Sequence, residues 1–537
     1  MKKKILYSLT GICLVFSTLF TGCIKETIPT NTITSDQLAS SPKATEALLW
    51  AMPAFTNKYN VQGGGRHSDF GYGAMMHIRD VMTEEMAIVS SGYDWFSNWA
   101  QNTGMGKNTT LAQQIWNYYT QFVLTANNMI ATINPETATD VQLSYLGIGY
   151  AFRALAYLDA AQMFEFLEND KTNAKNDDGN NVLNLTVPIV DETTTEAEAR
   201  NNPRADRQTM FNFILSDLNK AEEYVPKSAR LAKVFPDLAV VYGLKARLYM
   251  WVGDYANAQT NARKAINTGG YVPTTKDQWL NKTTGFNDLS TPSWMWGSQM
   301  MAEDDVVKTG IVNWTAWMSN ETYFGYASAG PYVMIGARIY GMISDDDFRK
   351  LSWKAPEGTP LYGKTPFIDP ALGAELPDYS SVKFRPAQGN MDDPNVGAAS
   401  AYPLMRIEEM YFIEAEAAAH QNAANGKALL ENFMKTYRYA SYTCPANDTE
   451  GVVNEIFLQK RVELWGEGTS YFDYKRLNKP VTRGYVGTNF PDARRFNTTT
   501  RPAWMNFCIV QTEENNNEAL KGFNNPDPSG LYTPWKQ

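Results

Sequence analysis

Two carboxylates, Glu463 and Glu467, stand four residues apart in LQKRVELWGEGTSYFDYKRL (458–477), a spacing that sets both on one face of a helix. A glycosidase needs such a pair, one acid to protonate the leaving oxygen and the other to activate water or attack carbon. Arg461 and Arg476 in the same stretch favour a different use, ion pairing that holds the helix in place. Asp345-Asp346-Asp347 offers hard oxygen ligands for calcium, but it lacks the spaced Asp/Asn loop and trailing Glu of an EF-hand, so a solvated acidic turn is expected. His67, His77 and His420 have no recognised ligand spacing. The chain has no H-E-x-x-H, G-x-S-x-G, C-x-x-C or glycine-rich phosphate loop, and Gly63-Gly64-Gly65 reads as a flexible turn. The expectation is a protein that is not an enzyme, with no cofactor and no metal.

Binding chemistry is better represented. The chain has 14 Trp and 29 Tyr, and aromatics make up 13% of its 537 residues. Two groups lie outside any helical core pattern. GYDWFSNWAQN (92–102) sets Asp94, Trp95, Asn98 and Trp99 among small polar residues, and NWTAWMSNETYFGY (313–326) does the same for Trp314, Trp317, Tyr323 and Tyr326. A pyranose has an apolar C–H face, which aromatic rings cover, and a rim of hydroxyls that Asp, Asn and Glu satisfy. Those eight residues are the candidate ligand site. The same rings would serve equally well for packing the loops or for facing a protein partner.

A third chemistry sits at MKKKILYSLTGICLVFSTLFTGC (1–23). Three lysines, an apolar run and small residues before a cysteine form the pattern of a bacterial lipoprotein signal, with Cys23 the acylated residue. Diacylglycerol plus a third acyl chain exceeds the two signals needed for a stable anchor. The mature chain is expected outside the cytoplasm, held to a membrane by lipid. Loss of the three lysines takes the net charge from −9 to −12, with no basic patch for nucleic acid. Cys13 leaves with the signal, so Cys444 and Cys508 remain, either paired or as two buried thiols.

The elements that must position these residues are mainly helical. The expected divisions are a signal peptide at 1–22, a lipid-anchored tether at 23–40, an N-terminal helical region at 41–270 and a C-terminal region at 271–537. The last comprises a loop-rich stretch (271–400), helices (403–477) and an irregular tail (478–537). Helices are expected through Ile115–Met129, Leu143–Phe166, Thr209–Tyr224, Pro403–Arg438 and Gly451–Leu477. Residues 239–272 fit one 34-residue tetratricopeptide repeat. In it Ala246, Ala258 and Ala265 permit close approach, Gly253-Asp254-Tyr255 makes the turn, and Tyr249 fills the space between the two helices. One repeat cannot bury its own apolar face, so Leu143–Phe166 with Thr209–Tyr224, and Leu404–Arg438, are its expected partners.

Four pieces resemble the SusD/RagB family of outer-membrane nutrient-binding lipoproteins. They are the start ending at Cys23, GYAFRALAYLDAAQMF (149–164) with Arg153 to Tyr157, PLMRIEEMYFIEAEAAA (403–419), and 458–477 with Arg461, Glu463, Glu467, Gly468, Asp473 and Arg476. Ser470 replaces an arginine usual there, and Phe507–Asn517 lacks prolines the family often has. The resemblance implies a SusD-like α/α superhelix of four tetratricopeptide-type helical pairs, with a large loop-rich insertion and few short strands. It also implies a surface-exposed lipoprotein of the outer membrane that captures oligosaccharide and caps a SusC-like TonB-dependent β-barrel transporter. A peptide ligand, or a non-catalytic interaction scaffold using the tetratricopeptide groove, are the alternatives.

Overall fold

The computed structural model describes residues 42–89 and 91–537. The signal segment 1–22, Cys23 and the tether 23–40 lie outside the described residues. Eleven helices carry the architecture: α1 (Pro42–Phe55), α2 (Tyr72–Val81), α3 (Thr110–Ile130), α4 (Asp140–Phe164), α5 (Arg207–Tyr224), α6 (Leu238–Val252), α7 (Tyr255–Asn267), α8 (Ile407–Gln421), α9 (Ala423–Tyr437), α10 (Thr449–Glu463) and α11 (Ser470–Arg476). Most of the long ones start on a polar side chain that accepts from an otherwise unpaired backbone N–H. Thr139 forms a capping box with Gln142 on α4, and Asp206, Asp237, Asp254 and Asp448 cap α5, α6, α7 and α10.

Packing follows chain order: α4 lies against α3 and α5, α6 against α5 and α7, and α8 against α7, α9 and α10. Residues on every side of α4 are buried from Leu146 to Phe164, which makes it a central helix rather than an amphipathic one. Its Arg153 forks onto Asp217 of α5, Nε to Oδ2 at 2.7 Å and Nη2 to Oδ1 at 2.8 Å, and also pairs with Glu192. The turn between α6 and α7 is built as expected. Gly253 takes φ +78°, a conformation that favours glycine, and Asp254 opens the next helix. Ala246, Ala258 and Ala265 are fully buried. Tyr249, half-buried, also packs on Phe211 of α5 (5.7 Å).

Residues 271–400 are loop-rich with short helices, and two small antiparallel sheets tie them to the rest. Strand β1 (Met86–Ile88) pairs with β3 (Val333–Ile335), and β2 (Trp294–Gln299) with β4 (Ala401–Arg406). Thus Pro403-Leu404-Met405 is strand, not the start of a helix, and Asn422 separates α8 from α9. The stretch 451–477 is also broken. Helix α10 ends at Glu463, Gly466 and Gly468 take φ of +77° and +67°, and α11 begins at Ser470.

Residues 507–529 run back over the N-terminal half. Phe507 N donates to Met163 O (3.1 Å), Asn525 Nδ2 to Phe164 O (2.8 Å), Arg204 Nη1 to Phe523 O (2.8 Å), Asn102 Nδ2 to Pro528 O (3.0 Å) and Met105 N to Ser529 Oγ (2.8 Å). Cys444 and Cys508 are both free and buried, so the unpaired alternative holds.

Candidate functional site

The carboxylates come first. Glu463 closes α10 and is fully buried, whereas Glu467 lies beyond the helix, so the two do not share a helical face. Glu463 accepts from Arg349 (3.0 Å), Arg406 (3.2 Å) and Arg438 (2.7 Å); Glu467 accepts from Arg406 (2.9 Å) and Lys383 (2.8 Å). Burial alone would raise the Glu463 pKa, but Arg438, Arg406 and Arg349 hold it well below the usual carboxylate range. Ion pairing is what these acids do, though not with the nearby arginines. Arg461 pairs with Glu84 and Glu85, and Arg476 with Glu416 and Asp473. Asp347 is likewise no solvated turn residue: it is buried and pairs with Arg349 (2.6 Å), while Asp345 pairs with Lys350 (2.8 Å).

The eight candidate ligand residues fall into two depths. Trp99, Trp314 and Trp317 are each 1% exposed and Tyr326 4%, so these rings belong to the core. Trp314 stacks on Tyr402 (5.0 Å) and meets Phe384 edge-on (5.2 Å). Asp94 is buried as well, paired with Arg494 and accepting from Phe96 N (3.0 Å), and so anchors its loop. Burial raises its pKa and Arg494 opposes the rise. Trp95, Asn98 and Tyr323 are at the surface, with Trp95 40% and Tyr323 51% exposed. Aromatic richness did not encode depth. Trp314 and Trp317 lie three apart on a short helix capped by Asn313, and both turn inward.

The buried rings form a column under the exposed one. Trp95 stacks on His67 (4.6 Å between centroids, 22° between planes), and His67 Nδ1 is hydrogen-bonded to the Tyr326 hydroxyl. Tyr326 in turn stacks on Trp317 (3.6 Å, 11°), whose Nε1 donates to His67 O (3.0 Å), and Trp317 meets Phe96 edge-on (4.8 Å). Burial lowers the His67 pKa and raises that of Tyr326. His67 is delivered by a turn in which Gly63, Gly64 and Gly65 all have positive φ, closed by Gly65 N on Asn60 Oδ1 (2.8 Å). The arrangement supplies an exposed indole on a fixed base, which covers an apolar ligand face with little side-chain ordering left to do.

Tyr93 (63% exposed) flanks Trp95 in sequence. Tyr323, three residues from the column's Tyr326 in sequence, is exposed, and its hydroxyl donates to Asp369 Oδ2 (3.3 Å). Sequence reasoning missed His67 and Tyr93. The triple glycine before His67 signalled the turn but not the ring it aims. Among the described residues no group of three or more His, Cys, Asp or Glu is placed to hold a metal.

Residues 362–534 match the SusD family model. A SusD-like protein of Formosa agariphila is 22% identical over 411 residues, 68% of this chain and 72% of its own. Among solved structures, a SusD-like carbohydrate-binding protein from Bacteroides vulgatus superposes with a TM-score of 0.69 at 21% identity, covering 89% of this chain and 96% of that one. A SusD superfamily protein from Bacteroides thetaiotaomicron gives 0.66 at 16% identity (90% and 99%). A laminarin-binding SusD-like protein gives 0.57 at 17% identity (89% and 98%). At these identities the structural likeness is one of fold.

Proposed function

We propose that this chain, which belongs to the SusD/RagB family, is a glycan-binding lipoprotein that captures oligosaccharide at the cell surface and delivers it to a SusC-like TonB-dependent outer-membrane transporter. The observation that carries the binding half is Trp95, exposed on a rigid base of His67, Tyr326 and Trp317. Two structural relatives named for carbohydrate and for laminarin binding support the same ligand class. Within the proposed site Trp95 and Tyr93 offer ring faces, while Asn98 and the Tyr323–Asp369 pair offer polar groups for hydroxyls. Trp317 and Tyr326 support that surface from below, Trp99 packs on Phe96 and Asp94 anchors the loop through Arg494, while Trp314 packs in the core on Tyr402. The transporter-capping half rests on family membership, together with Cys23 as anchor and residues 23–40 as tether. Among the described residues no helix is long and apolar enough to cross a membrane.

Isothermal titration against a panel of soluble glycans, laminarin included, tests the binding half. Trp95→Ala should weaken binding by about 1–3 kcal/mol, roughly 5- to 150-fold. Unchanged affinity with an intact circular dichroism spectrum would remove Trp95 from the site, and binding of peptides without any glycan would overturn the ligand class.

A further inference from the structure

A cavity of ≈ 240 Å³ opens between the C-terminal end of α4, α11 and the loop that carries Arg501, and it shares no residue with the Trp95 surface. Its volume is well above the ~10–15 Å³ that one water requires. Four cationic side chains line it, Arg207, Lys475, Arg476 and Arg501, against one carboxylate, Glu165. Two of the cations are accounted for. Arg476 is bound by Glu416 (2.6 Å) and Asp473 (2.7 Å), and Glu165 takes Arg207 Nε on one oxygen and Trp251 Nε1 (2.9 Å) on the other.

The remaining two have no ion pair, and burial, with the neighbouring arginines adding to it, lowers the Lys475 pKa well below its ordinary value. Lys475 Nζ is buried and donates to the carbonyls of Gln162, Glu165 and Met505 (2.7 Å each) and Met163 (3.2 Å). Among the described residues neither Lys475 nor Arg501 has a carboxylate within 4.0 Å. Arg501 is fixed by its Nε on Asn478 Oδ1 (2.8 Å). Neither terminal nitrogen of Arg501, nor either of Arg207, has a hydrogen-bond acceptor among the described residues. Burial lowers the Arg501 pKa, Glu165 opposes this and the charge of Arg207 adds to it, so the three groups share one field.

Unused guanidinium donors facing one cavity are the chemistry that holds an oxyanion, because planar forks bind carboxylate, sulfate or phosphate oxygens two at a time. We propose that this cavity is a binding site for a small oxyanion, either a free inorganic ion or the acidic group of a sugar, held between Arg501 and Arg207. It does not depend on which ligand Trp95 takes.

The test is isothermal titration of the folded chain with sulfate, phosphate and glucuronate, each against chloride at matched low ionic strength. Saturable binding of at least one is expected, with inorganic ions alone indicating a free tetrahedral anion and glucuronate indicating a sugar acid. Arg501→Gln should weaken that binding about tenfold or more, and Arg501→Lys, which keeps the charge but not the fork, by less. Glycan binding through Trp95 should be the same in both variants, so failure here is distinguishable from failure of the glycan reading. No saturable binding of any of the three anions, or equal binding in wild type and Arg501→Gln, would overturn the proposal.

Discussion

His77 shows how a single buried ring sets a pH response. It is fully buried on α2, edge-on to Phe96 (4.3 Å), with Nδ1 3.1 Å from Met318 Sδ and Nε2 without a partner among the described residues. Burial pushes its pKa from 6.5 down to about 3. The unfolded chain therefore binds a proton below pH 6.5 that the folded chain refuses. Stability from this group is fully present above 6.5 and is lost as pH falls toward 3, by about 1.4 kcal/mol per unit. Glu463 also has a lowered pKa, so its contribution is intact above its ordinary value of 4.5 and is lost only below that. Between pH 6.5 and 5 the melting temperature of wild type should fall more steeply than that of His77→Phe; parallel slopes would exonerate the ring. Residue types were legible and depth was not. Of the four tryptophans in the candidate site only Trp95 reaches the surface; Trp314 packs on Tyr402, remote in sequence, Trp317 on Phe96 of the other aromatic group, and Trp99 on Phe96 of its own.

Helices and turns were legible where their signals are local. Gly253 followed by Asp254 ends one helix and caps the next with adjacent residues, and the sequence carries that outright. The stretch 451–477 reads as one helix by periodicity, yet it breaks because its charges are committed elsewhere, Glu467 to Arg406 and Lys383, and Gly468 N to Asp80 Oδ2 (3.0 Å). Gly468 has φ +67°, and a Cβ there would lie 2.7 Å from the Met76 Cα, against backbone that cannot swing aside. Gly270 has φ +69° with open space around it. Gly468→Ala should thus destabilise by more than the ~1–2 kcal/mol of left-handed strain that Gly270→Ala shows alone. Urea unfolding followed by circular dichroism measures both, and equal losses would mean that the Met76 contact is not what requires glycine.

At the scale of the molecule, the helical architecture was legible, and the stretches that made it so carry buried ion pairs. Arg153 forks onto Asp217, and Arg406 gathers Glu408, Glu463 and Glu467. The two small sheets were not legible, since their partners lie more than a hundred residues apart. The proposed anchor and transporter belong to this scale too. In the native host, Cys23→Ala should abolish radiolabelled palmitate uptake, and gentle detergent extraction of the wild type should recover a TonB-dependent barrel with it. Equal labelling of both proteins would defeat the anchor, and recovery as a monomer would defeat the capping role. The return of residues 507–529 over the N-terminal half also dictates an order of events. Asn102 waits for a carbonyl 426 residues downstream, and Phe164 O for an amide 361 downstream. A chain that emerges N-terminus first can form its early helices at once but cannot close them, since such distant contacts come only after the intervening chain is out. Native closure is therefore a late step.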